Sequence, residues 1–250
     1  LSEADTVTIK EVSISVNRIN IAGEIFDSVS NDKEDLRSSD DGNIVLVSGG
    51  TLTITEGALD DADSNTLGIK AAGSGNIFLN ASSGNIDVQN AIAAGNGHIS
   101  LHADSGDILQ KANGDISSAG SIDLLAGASI VMYDDGSGAL ALTKSSGADI
   151  RYEAGADIII SRLVASAEGR SISLIAGENI IDGGDTGEND IQSNNLVVYS
   201  IGATGHDDTD LNALEIEVDF LSAISGGAGI FLNEARSEEH TSELQSLSHI

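Results

Sequence analysis

The phrase Gly-polar-Ile returns along the middle of this chain at a fixed distance, and that return restricts the fold more than any other feature. "GNIFLNA" begins at Gly75, "GNIDVQNA" at Gly84, "GHISLHA" at Gly97, "GDILQKA" at Gly106 and "GSIDLLA" at Gly120. Each reads as a short alternating strand. A period of two puts Ile77, Leu79 and Ala81 on one face, with Phe78 and Asn80 on the other. The same pattern sets Ile86 with Val88, Ile99 with Leu101 and Ala103, and Ile122 with Leu124 and Ala126.

The spacing between phrases carries a second signal. Ile77 to Ile99, Ile86 to Ile108, Ile108 to Ile130 and Ile150 to Ile172 are each 22 residues, and Ile130 to Ile150 is 20. Two interleaved strand series therefore recur at about 20–22 residues, a period typical of solenoids. A sandwich of hairpins joined by Asn-Gly turns would not require that second period. The expected fold is all-β, a parallel β-helix (β-solenoid) with about 20–22 residues per turn. Coils stacked about 4.8 Å apart place like residues over like, so inward Ile and Leu build an apolar column. Glycine is expected at the corners, through positive φ or close backbone approach. Proline would remove a donor from a strand flanked on both sides, and the chain has none.

Three segments follow. Residues 1–40 form a strand-rich N-terminal segment in which "DSVSNDKEDLRSSDDG" reads as a charged surface loop. Residues 41–235 carry the repeats, enough for roughly nine turns and a rod of about 40 Å. "EGALDDADSNTLG", "IDGGDTGENDIQ" and "IGATGHDDTD" read as loops leaving the corners. Residues 236–250 break every preceding pattern. "RSEEHTSELQS" is the translation of a common sequencing-library adapter, so this tail is expected to be artefactual, disordered or weakly helical, and takes His240 and His249 out of any metal argument. The opening "LSEADTVTIK" has neither an initiator Met nor a signal segment, and the chain reads as an internal piece of a longer protein.

The balance of 11 Lys+Arg against 40 Asp+Glu gives a formal charge of −29. A field of that sign repels phosphate backbones, excluding nucleic acid as an expected partner, and attracts cations. No run of about 18 apolar residues is present, so no membrane span is expected. The chain contains no cysteine, which excludes disulfides and thiolate metal sites.

The acidic loops are the candidates for chemistry. Asp61, Asp63 and Asn65 copy the opening D-x-D-x-N of a calcium loop, but Thr66 and Ala72 stand where an EF-hand needs Gly and Glu. Asp182, Asp185, Glu188 and Asp190 offer carboxylate oxygens, as do Asp207, Asp208 and Asp210 beside His206. Calcium is the cofactor these residues would suit; solvated acidic loops are the alternative. His98 and His102 share one strand about 13 Å apart, too far to chelate one ion, and are expected on its outer face. A β-helix polysaccharide lyase or hydrolase would need focused carboxylates or basic residues, and sugar platforms of Trp or Tyr. The chain has no Trp and only Tyr133, Tyr152 and Tyr199. No catalytic residue is expected.

From "GNIFLNASSGNIDV" through "GDILQKANGDISSAGSIDLLAGASI" to "LSAISGGAGIFLNEA", the wording resembles the repeat regions of giant bacterial surface proteins of the filamentous-haemagglutinin type, over about residues 41–235. The resemblance implies a secreted or surface-anchored adhesin segment without a catalytic site. Its implied partners are flanking repeats of the same chain and a glycan or protein surface ligand. A calcium-stabilised binding module is the alternative reading.

Overall fold

The computed structural model describes residues 1–10, 12, 15–19, 21–22, 24–29, 35–55, 67–133, 140–184, 188–205, 213–227 and 229–234. Every regular element among them is a β-strand, and no helix is long and apolar enough to cross a membrane. Three parallel sheets form the walls of a β-solenoid. The first face has nine strands, running from Ser2–Glu3 through Ile44–Ser48, Ile77–Ala81, Ile99–Ala103 and Ile122–Ala126 to Ile150–Ala154, Ser171–Ala176, Asn195–Ser200 and Phe220–Ser225. The second has seven, from Val7–Ile9 and Leu52–Ile54 to Ile180–Asp182, prolonged by single bridges through Thr204 and Ile230. The third has nine, from Leu36–Ser38 and Leu67–Ala71 to Leu214–Glu217 and Leu232–Glu234. Nine strands at about 4.8 Å span about 40 Å.

The columns follow the alternation. Ile77 pairs in register with Ile44 on one side and Ile99 on the other, and Ile99 with Ile122. Along Ile99–Ala103 the inward Ile99, Leu101 and Ala103 are fully buried while Ser100 and His102 face outward. Each buried Ile or Leu contributes roughly 1.5–3 kcal/mol. One column is interrupted: Tyr152 stands between Leu124 and Leu174 and is fully buried. Its hydroxyl donates to Thr143 Oγ1 at 2.7 Å, and Thr143 in turn donates to Gln110 Oε1 at 3.0 Å. Burial holds the Tyr152 phenol far above its usual pKa.

The structure amends four expectations. Each coil has three strands rather than two. The third series, including Ala91–Ala94, Ile116–Ser118 and Leu142–Ser145, carries the Gly-polar-Ile phrase at Ile116 but not at Ile92 or Thr143, so it does not stand out at that period. Ile130 consequently pairs with Ile158, not with Ile150, which belongs to the first face beside Ile122. The coils also vary in length: Ile44 to Ile77 is 33 residues and Ile122 to Ile150 is 28, against 22 for Ile77 to Ile99. The two long coils contain segments 56–66 and 134–139, which lie outside the described residues.

The solenoid also takes in the N-terminal segment. Ser2–Glu3, Val7–Ile9 and Leu36–Ser38 pair in parallel with the next coil, and an antiparallel hairpin of Ser15–Ile19 with Ile25–Val29 is inserted between them. Finally, the glycine of the repeated phrase does not have positive φ, which among the described glycines occurs at Gly73, Gly169, Gly184, Gly205 and Gly229. It is required by close approach, because a Cβ on Gly97 would collide with the carbonyl oxygen of Gly75 in the coil before it.

Candidate functional site

The polar residue between Gly and Ile bonds one coil to the next. At the corner entering the first face, Asn76 donates its backbone N–H to Asn43 Oδ1 at 2.8 Å, and His98 donates likewise to Asn76 Oδ1 at 2.8 Å. Ser121 then donates to His98 Nδ1 at 2.9 Å, and Ser171 to Asp149 Oδ1 at 2.9 Å. The corner entering the second face repeats the device. Asp107 donates to Asn85 Oδ1 at 2.9 Å, Ser129 to Asp107 Oδ1 at 3.0 Å, and Asn179 to Asp157 Oδ1 at 2.9 Å. At the third corner Leu142 donates to Asp115 Oδ1 at 3.1 Å and Glu215 to Asp190 Oδ2 at 2.9 Å. A short polar side chain thus satisfies a backbone donor where the chain turns out of a sheet.

These bonds leave electrostatic marks. The Asp41 carboxyl is held below the usual range by the N–H and then the hydroxyl of Ser74. Asp115 is pushed up by burial, against the opposing pull of the Leu142 N–H.

One corner gathers further charge. Asp182 ends its strand as the register partner of Ile160, so a carboxylate stands where the preceding coil carries a buried isoleucine. Its Oδ1 accepts the Gly184 N–H at 2.8 Å. Asp190, 1% exposed, immediately precedes Ile191, whose partners Leu163 and Ile216 fix its place in the third sheet. Glu215 holds the same corner position one coil on. Oxygens of Asp182, Asp190 and Glu215 all lie within 4.8 Å of one another, the only such acidic or metal-ligand group among the described residues.

Burial, followed by the charge of Asp182, pushes the Asp190 carboxyl up to about 9. Near neutral pH the acidic group therefore holds a proton that its carboxylates can share. Fully ionised, the three would present hard oxygen ligands suited to calcium, at the cost of releasing that proton.

The structure therefore unites two of the sequence candidates, Asp182 and Asp190. Glu188 turns away to pair with Arg162 at 3.0 Å. Asp61, Asp63, Asn65, Asp185, Asp207, Asp208 and Asp210 lie outside the described residues, as does His206. Glu215 escaped the sequence reading because its strand belongs to the unrecognised third series. Its signal is positional, 25 residues after Asp190 and just before an inward hydrophobic residue.

Two outward ring groups contact neighbouring side chains. His102 packs edge-on against Phe78, with ring centroids 5.1 Å apart, and lies 3.8 Å from Asp123, which also binds Arg151 at 2.7 Å. Lys111 sits over the Tyr133 ring at 3.6 Å. A groove of about 170 Å³ runs past Gln192, Asn194, Glu217 and Asp219. Its polar side chains bond one another, Gln192 Nε2 to Glu217 Oε2 at 2.9 Å among them. Comparison with protein-family models, with curated proteins and with solved structures finds no match for this chain.

Proposed function

We propose that this chain is a non-catalytic rod segment of a large bacterial cell-surface or secreted protein, one that carries or presents adhesive contacts. The observation that carries this reading is the corner ladder. Asn, Asp and His side chains that could act on a substrate are instead acceptors for the backbone of the next coil. Sequence resemblance to filamentous-haemagglutinin-type repeats supports the adhesive and extracellular part. A glycan or protein surface is the ligand class, and nucleic acid is disfavoured by the charge of −29.

The test is retention under flow of beads coated with the folded chain, on glycan- and protein-coated surfaces, beside beads coated with heat-denatured chain. Equal retention of both would remove the adhesive role. Steady release of reducing ends or unsaturated uronate from a polysaccharide would replace the rod with an enzyme.

The Asp182–Asp190–Glu215 group favours a second reading, a calcium-stabilised module. Calcium would then raise the melting temperature relative to chelator, and Asp190→Asn would abolish the increment. An unchanged melting temperature removes this reading.

A further inference from the structure

Between the first and last coils, four large apolar side chains are exposed among the described residues: Val45, Val197, Tyr199 and Ile201. Three of the four leave the outer side of one strand, Asn195–Ser200, and the corner residue after it. Val197 and Tyr199 are each 45% exposed and Ile201 is 60% exposed. The strand is paired on both sides, with Ser171–Ala176 and with Phe220–Ser225, so this exposure belongs to the wall of the rod and not to its end.

A groove of about 330 Å³ runs along the wall here. Its floor is the Ala-Gly corner that closes the repeated strand, Ala154-Gly155 and Ala176-Gly177 among them. A Cβ on Gly177 would strike the carbonyl oxygen of Gly155, so the corner admits nothing larger and the floor stays low. The outward row beside it reads, in register, Leu125, Glu153, Ile175 and Tyr199. Four coils at about 4.8 Å make the groove about 14 Å long, room for about four residues of an extended chain. An apolar patch of this kind on the wall of a soluble rod marks a place of contact.

The charge of the groove is negative. Glu153 lies 3.3 Å from Arg151, but Asp123 holds the same guanidinium at 2.7 Å, so the three groups leave one negative charge. The exposed Glu178, directly after Gly177, adds another.

We propose that this groove takes a segment of another protein that combines Leu- or Ile-like side chains with Lys or Arg. The apolar groups cover Leu125, Ile175, Tyr199 and Ile201, and a cation whose stem lies along them meets Glu153. The inference rests on the adhesive reading and narrows its ligand from glycan or protein to protein. A glycan would set its hydroxyls against a lining whose polar side-chain groups are the Glu153 carboxylate and the Tyr199 hydroxyl alone. A second copy of this chain, or an anionic membrane, would bring like charge to a chain of −29.

The probe is a labelled hexapeptide of alternating Leu and Lys, titrated with the whole chain by fluorescence anisotropy beside Ser-Lys and Leu-Glu hexapeptides. The Leu-Lys peptide is expected to bind, and the other two about tenfold more weakly or worse. Tyr199→Lys and Ile201→Lys should each lower its affinity about tenfold, at an unchanged urea midpoint. Val45→Lys adds the same charge at an exposed position on the same face and should leave the affinity as it was. No binding of the Leu-Lys peptide, equal binding of the Ser-Lys peptide, or equal losses in Val45→Lys and both groove variants would each overturn the proposal. So would Tyr199-dependent binding of phosphatidylcholine vesicles in place of the peptide, which would make the groove a lipid site. Coated beads separate this inference from the reading beneath it. Equal retention of parent and Tyr199→Lys beads on protein-coated surfaces would remove the groove and leave adhesion, whereas peptide binding without bead retention would remove adhesion and leave the groove.

Discussion

Asn85 Oδ1 accepts the backbone N–H of Asp107 at 2.9 Å, and Asp107 Oδ1 accepts that of Ser129 at 3.0 Å one coil further on. The side chain that follows glycine in the repeated phrase is thus a structural acceptor whose position matters more than its charge. Asp107→Asn is expected to leave the urea midpoint nearly unchanged. Asp107→Ala, which strands a partly buried N–H, should lower stability by about 1–3 kcal/mol. Equal losses in both variants would show that charge, not acceptance, is what Asp107 contributes.

Gly97 tests the other half of the phrase. Its missing Cβ is the space occupied by the Gly75 carbonyl oxygen, so Gly97→Ala must push two coils apart. A loss of about 1–3 kcal/mol is expected, measured by thermal melting, whereas Gly169→Ala meets no neighbour and suffers only its positive φ. A stable Gly97→Ala with unperturbed circular dichroism would contradict the tight stacking.

The acidic corner sets a pH dependence. Burial pushes the Asp190 carboxyl up to about 9 from an ordinary 3.8, so between those values the folded chain holds a proton that the unfolded chain has released. Stability from this group is therefore full in acid and declines as pH rises through the neutral range toward 9. Asp190→Asn keeps an acceptor for the Glu215 N–H and removes the titration. Its melting temperature relative to the parent chain should rise steadily from pH 5 to pH 9. A constant difference would show that Asp190 ionises normally.

Tyr152→Phe isolates the polar patch within the core. The loss of its hydroxyl removes a partner from the buried Thr143, and about 1–2 kcal/mol of stability should go with it. Thr143→Val in the same background should cost less than it does alone, because the two groups form one network. Additive losses would show that the hydroxyls act independently.

The stacking of Ile77 on Ile99 and the inward alternation were legible because each inward residue recurs after 22 positions. The third face was not, because the phrase that precedes Ile116 is missing at its register partners Ile92 and Thr143, and these strands have only three or four residues. That omission had one consequence at the candidate site. Asp182 and Asp190 could be picked out as acidic residues in one loop, but Glu215 joins them only when residues 191 and 216 are known to be neighbours. The role of the phrase's Asn and Asp was hidden for a related reason. An acceptor's partner lies a full coil away, and its identity depends on register rather than on local sequence.

Every bond between coils, whether ladder or corner, joins one coil to the next along the axis of the rod, so tension applied at the two ends loads these junctions in series. The weakest junction would give first and the others would hold. Each 22-residue coil freed in this way would lengthen the tether by on the order of 70 Å. A chain folded in this manner yields to force in steps, and recovers by winding each released turn back onto the edge that remains.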